Sequence, residues 1–81
     1  MRIEYNKRAL DDLEKASLTI KKAFFKQLRF LAENLNHPSL HAKKYDEGQD
    51  LWQARVTRGW RFYFTIEGGT YRIQAIIQHP K

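Results

Sequence analysis

The chain has no cysteine, so neither a disulfide framework nor a thiolate metal site can be built from it. No apolar run approaches the roughly 18 residues needed to span a bilayer, and Met1-Arg2-Ile3-Glu4 does not open a secretory leader. A cytoplasmic location without a membrane partner is the expectation. With two prolines and four glycines, no repeat, low-complexity tract or linker interrupts the sequence. No phosphate-cradling glycine loop, nucleophile elbow or carboxylate pair is present, which disfavours the common hydrolase chemistries. Acid is scarce at one end: from residue 51 onward Glu67 is the single carboxylate side chain.

What is present is ordinary for a globular chain, with 42% hydrophobic and 30% charged residues. Eighty-one residues make one domain, 1–81, of a size that buries roughly 60% of the surface its unfolded chain exposes. The net charge of +6 is unevenly placed. Residues 1 to 50 carry ten Lys/Arg against eight Asp/Glu, whereas Arg55, Arg58, Arg61, Arg72 and Lys81 face only Glu67 in the remainder. A basic, arginine-rich end points to a nucleic acid or an acidic protein as partner. The plainer alternative is a cationic surface of the kind common in small proteins.

Hydrophobic spacing gives the elements. Ile3 and Tyr5 alternate in a first short strand, and Asn6 caps a helix to about Lys15 with Ala9, Leu10, Leu13 and Ala16 inward and Asp11, Asp12 and Glu14 outward. Ser17 or Thr19 caps a longer helix whose stripe is Ile20, Phe24, Leu28, Leu31 and Leu35, flanked by Phe25 and Phe30 and stopped at Asn36-His37-Pro38. Residues 39 to 50 read as a polar connection. Three strands follow, turning at Thr57-Arg58-Gly59, where a positive φ is expected of the glycine, and at Gly68-Gly69. Pro80 ends the last strand. The expected fold is α+β, strand-helix-helix-strand-strand-strand, an antiparallel sheet with both helices packed on one face.

The last three strands alternate strictly. Trp52, Ala54, Val56, Trp60, Phe62, Phe64 and Ile66 form the inner set, with Tyr71, Ile73, Ala75 and Ile77 expected beside them. Gln53, Arg55, Arg61, Tyr63 and Arg72 fall on the outer set. Arg55 and Arg61, adjacent if the hairpin closes at Arg58-Gly59, can clamp one phosphate through bidentate bonds. Solvated arginines paired with acids are the alternative, although no acid is expected on that face. His79 is of the side-chain type that can give or take a proton, or is simply a terminal residue beside Pro80. Tyr63 can stack on an unpaired base. Lys43 and Lys44 either guide an RNA backbone or are merely solvated, and Lys21, Lys22, Lys26 and Arg29 read as the wet face of the long helix. His37 and His41 lack metal-ligand spacing and read as surface residues, so neither metal nor cofactor is expected.

The helix pair, the connection and the run Leu51-Trp52-Gln53-Ala54-Arg55-Val56-Thr57-Arg58-Gly59-Trp60-Arg61-Phe62-Tyr63-Phe64 together resemble the RelE/ParE superfamily of bacterial toxins. The resemblance spans essentially the whole chain and is most specific at Trp60-Arg61. It implies the toxin of a type II toxin–antitoxin module, acting in plasmid stabilisation or translation inhibition. Members similar to RelE enter the ribosome and cut mRNA by driving a 2′-OH onto the adjacent phosphate. On that reading Arg61 matches the phosphate-stabilising arginine, Arg55 a basic position before it, and His79 a proton-transferring position. Gln53 falls where RelE carries a lysine, and Arg58, Arg72, Lys43, Lys44 and Tyr63 would contact RNA. The implied partners are the ribosome, mRNA and a cognate antitoxin, in a possible toxin–antitoxin hetero-oligomer. Relatives of the ParE kind instead poison DNA gyrase, and inactive members would act only by binding.

Overall fold

A computed structural model describes residues 2–79. Pro80, expected to stop the last strand, and Lys81, counted among the basic groups, lie outside the described residues. The elements are β1 (Arg2–Tyr5), α1 (Lys7–Lys15), α2 (Leu18–Glu33), a short 3-10 turn (Pro38–Leu40), β2 (Lys43–Asp46), β3 (Leu51–Thr57), β4 (Trp60–Glu67) and β5 (Thr70–Gln78). The fold is α+β, in the expected order of a strand, two helices and then strands. Asn6 caps α1 by accepting from the Ala9 N–H at 2.8 Å, and Ser17 caps α2 by accepting from the Ile20 N–H at 3.2 Å.

Three expectations are corrected. The sheet, ordered β1-β5-β4-β3-β2, is mixed, because β1 pairs with β5 in parallel. Short turns force antiparallel pairing only on strands that follow one another, and β1 meets β5 after the whole chain has intervened. The connection of residues 39 to 50 holds the end of the 3-10 turn and a fifth strand, β2, which adds to the edge of β3. Lys43-Lys44-Tyr45-Asp46 shows no apolar alternation because an edge strand tolerates lysine and polar groups on both faces. Finally, α2 ends at Glu33, before the proline can act. Asn34 Oδ1 accepts from the Asn36 N–H at 2.9 Å, a local bond that competes with continuing the helix.

The core lies between the helices and one sheet face. Phe24, Leu31, Leu40, Phe62, Phe64, Ile73 and Ile76 are its largest fully buried side chains. Phe24 meets Phe62 edge-on, with ring centres 5.3 Å apart at 86°, and Phe64 meets Tyr71 at 5.6 Å and 89°. Edge-to-face contacts of this kind add about 0.5–1.5 kcal/mol each beyond their buried area.

The pattern of β5 departs from strict alternation. Tyr63 pairs with Ala75 and Phe64 with Ile73, so Gln74 is an extra residue in the ladder. This bulge reverses the faces beyond it: Ile76 enters the core, while Ala75 and Ile77, expected inside, lie beside Tyr63 and Arg61 on the open face. In α1, Leu10 is exposed and Asp12 turns inward. β1 runs beside only Thr70–Ile73, so the Ile76 N–H lies past its end, and Asp12 Oδ2 accepts from it at 3.0 Å. Among the described glycines the positive φ belongs to Gly68 (61°) and not to Gly59. The β3–β4 hairpin absorbs its turn through a register shift between Arg55 and Thr57 instead.

Candidate functional site

Residues paired across strands share a face, so the register states what the open face carries. One row runs Lys43, Gln53, Tyr63, Ala75, and the next runs Arg55, Arg61, Ile77. The His79 N–H donates to the Gly59 carbonyl at 2.8 Å, which holds the histidine against the β3–β4 turn. The result is a hollow of about 470 Å³ lined by His41, Ala42, Lys43, Gln53, Arg55, Arg61 and His79. The structure therefore brings together Arg55, Arg61 and His79 with Lys43 and Gln53.

The two arginines are held differently. Arg61 Nη1 donates to the carbonyls of Thr57 (2.8 Å), Trp60 (3.0 Å) and Arg58 (3.3 Å), which braces the hairpin turn. Arg55 Nε is buried with no hydrogen-bond partner among the described residues. An orphaned donor on a permanently charged group is uncommon in a folded protein and fits a site that receives an anion. Gln53 is buried and donates to the Tyr63 hydroxyl at 2.9 Å, so its amide is committed within the protein.

Four other expected contacts are not part of this hollow. Tyr63 is buried, its hydroxyl bonded to Gln53 and its ring under Tyr45 (5.1 Å, 74°), so it has no free ring face for a base. Arg72 is ion-paired with Glu4 at 3.0 Å and lies 3.9 Å from Glu67, which also corrects the expectation of an acid-free sheet face. Lys44 pairs opposite Trp52, on the helix side of the sheet; its ammonium sits 5.2 Å from the Trp52 ring centre and 2.9 Å from Asp50. That Asp50 hydrogen bond raises the Lys44 pKa above its ordinary value. Arg58 is exposed at the turn and offers its carbonyl to Arg61.

Three residues outside the expected site matter. His41 lines the hollow from the loop before β2, with a left-handed backbone (φ 48°). Tyr45 is 59% exposed and presents an aromatic ring on the open face beside Tyr63. Gln27 of α2 is buried; its Nε2 donates to the Ser39 and Arg55 carbonyls, both at 2.9 Å, and its Oε1 accepts from Ser39 Oγ at 3.2 Å. It ties helix, 3-10 turn and β3 together behind the hollow. A buried amide among the apolar residues of a helix stripe was the available signal for Gln27; His41 had none, because its loop gives no periodicity. His37, read as a surface residue, is half-buried, stacked on Phe30 at 3.9 Å, and accepts from the Ser39 N–H through Nδ1.

No carboxylate among the described residues lines the hollow, and the charged side chains among them that line it are Lys43, Arg55 and Arg61. Among the described residues no three His, Asp or Glu side chains gather as a metal site requires, and no helix is long and apolar enough to cross a membrane.

A mixed sheet backed by two helices is a fold that this chain shares with solved toxin structures. The YoeB/ParE toxin from Agrobacterium tumefaciens superposes with a TM-score of 0.84 at 14% identity, over 99% of this chain and 100% of that one. The heterotetrameric YoeB–YefM toxin–antitoxin complex from Staphylococcus aureus gives 0.80 at 14% identity, over 99% and 98%. The intact E. coli RelBE toxin–antitoxin complex gives 0.75 at 14% identity, again over 99% and 98%. At such identity these likenesses concern the fold. No curated protein sequence matches. The family match is by sequence: residues 3–80 match the ParE toxin of type II toxin–antitoxin systems, parDE, and the chain belongs to that family.

Proposed function

We propose that this toxin cleaves RNA, as a ribosome-dependent mRNA endoribonuclease that inhibits translation, and that a cognate antitoxin opposes it. The observation that carries this reading is the convergence of Arg55, Arg61, Lys43 and His79 on one hollow that, among the described residues, no acid lines, with Arg55 Nε unpartnered among them. Attack of a 2′-OH on the neighbouring phosphate builds negative charge on the phosphoryl oxygens, and fixed cations in a recessed site stabilise that charge most where water is scarce. Arg55 is the principal phosphate ligand. Arg61, anchored by the turn carbonyls, is a preset second one. Lys43 meets the adjoining backbone and His79 moves a proton. The base-stacking role expected of Tyr63 passes to Tyr45, whose ring is open.

Induced expression followed by primer extension on a defined transcript tests the reading. Wild type should give discrete cuts, and Arg55→Gln should lower cutting by about 10²–10³-fold, the usual effect of removing one donor to a developing oxyanion. Arg72→Gln, whose guanidinium is occupied by Glu4, should cut like wild type. The parDE description of the family favours a second reading, a gyrase poison. Intact message accompanied by gyrase-linked DNA breaks would establish that reading and remove the first.

A further inference from the structure

We infer that His41 and His79 form the proton-transfer pair of the hollow, one imidazole acting as base and the other as acid. The inference rests on the RNA-cleavage reading and deepens it. Both histidines line the same hollow together with Arg55 and Arg61. Elimination gives the pairing its force. The remaining lining residues among those described are alanine, glutamine, lysine and arginine, with no Asp, Glu, Tyr or Cys. Ammonium and guanidinium groups are protonated at neutral pH, so among the described lining residues imidazole is the one side chain suited both to accept and to donate a proton. The adjoining hollow of about 370 Å³ shares His41 and Arg55 and adds Lys26 from α2, again with no carboxylate among the described residues. Among the described residues, the charged side chains that share these two hollows with His41 are Lys26 of α2, Lys43 of β2, Arg55 of β3 and Arg61 of β4, all cationic.

The step balances without a co-reactant. One imidazole takes the 2′-OH proton as O2′ bonds to phosphorus. The P–O5′ bond breaks, and the other imidazolium gives its proton to O5′. The products are a 2′,3′-cyclic phosphate and a 5′-hydroxyl, with the extra charge at phosphorus facing the arginines.

The test is the single-turnover cleavage rate of a defined mRNA on programmed ribosomes, measured against pH at saturating toxin. His41→Asn suits it because asparagine tolerates the left-handed backbone that His41 adopts (φ 48°), and a melting curve confirms the fold. Wild type should show a bell-shaped profile. His41→Asn and His79→Asn should each slow cleavage by about 10²–10⁴-fold and each remove a different limb of the bell, with ribosome affinity unchanged. A His41→Asn protein that keeps both limbs and the wild-type rate overturns the pairing while leaving RNA cleavage standing. So does a loss confined to ribosome affinity. A wild-type protein that leaves the message whole overturns the RNA reading, and the pairing with it.

Discussion

At the scale of single residues, the side chains that shape the hollow from behind matter as much as those lining it. Gln27 is buried at 4% exposure and satisfies the carbonyls of Ser39 and Arg55. Replacing it with alanine would strand two carbonyls and open a cavity. Each unsatisfied buried group costs about 1–3 kcal/mol, so Gln27→Ala should destabilise by about 2–6 kcal/mol in urea unfolding. An unfolding free energy within about 0.5 kcal/mol of wild type, the scatter of ordinary surface substitutions, would show that the amide is not a tie. Tyrosines give a pH dependence of known sign. Burial raises the pKa of Tyr5 and Tyr71 above the ordinary value of 10.0. The folded state therefore holds their protons more tightly than the unfolded chain does. Stability is at its full level below pH 10 and falls as pH rises from there through the folded-state values. Tyr71→Phe should flatten that alkaline decline in melting curves, and an unchanged slope would refute the assignment.

At the scale of elements, one bulge decides which side chains reach the site. Gln74 is the extra residue that lets Ile76 face the helices and Ile77 face the hollow side. Deleting it would restore plain alternation with Ala75 still opposite Tyr63, Ile76 still facing the helices and Ile77 still on the hollow side. The deletion should therefore cost little more than Gln74→Ala, about 1 kcal/mol for the side chain's bonds to Asn6 and Thr65. Had Gln74 been an ordinary ladder residue, its removal would turn Ile76 out of the core at about 1.5–3 kcal/mol more. A deletion variant that melts far below Gln74→Ala would contradict the bulge. The same feature shows where sequence reading stopped. β3 and β4 are plain alternating strands, so the placement of Arg55 and Arg61 was legible. Tyr71, Ile73, Ala75 and Ile77 also alternate, and nothing in that spacing marks an inserted residue. β2 hid because edge strands need no apolar face, and Arg72 looked free because its partner Glu4 is 68 positions away. The convergence of His41 with His79 depends on a loop conformation that no periodicity encodes.

At the scale of the whole molecule, the net charge of +6 is a poor guide to what an anion meets. Arg2, Lys7, Arg8, Lys44 and Arg72 are each engaged by a carboxylate, in exposed or half-exposed pairs. The cations of the hollow, Lys43, Arg55 and Arg61, belong to none of these pairs. If they are what a nucleic-acid backbone touches, binding should displace counterions from about three phosphates. For a single strand the slope of log affinity against log salt is about −0.7 per phosphate, which gives about −2 here. Affinity for a short unstructured RNA should then fall about 20-fold when salt rises fourfold, as read by fluorescence anisotropy. Arg55→Gln should make the slope shallower by about 0.7, and Arg72→Gln should leave it alone. This measurement needs no ribosome and no cleavage, so it separates the electrostatic footprint from the chemistry. A slope near zero, or one that Arg72→Gln changes as much as Arg55→Gln, would mean that the phosphates meet the protein somewhere other than the hollow.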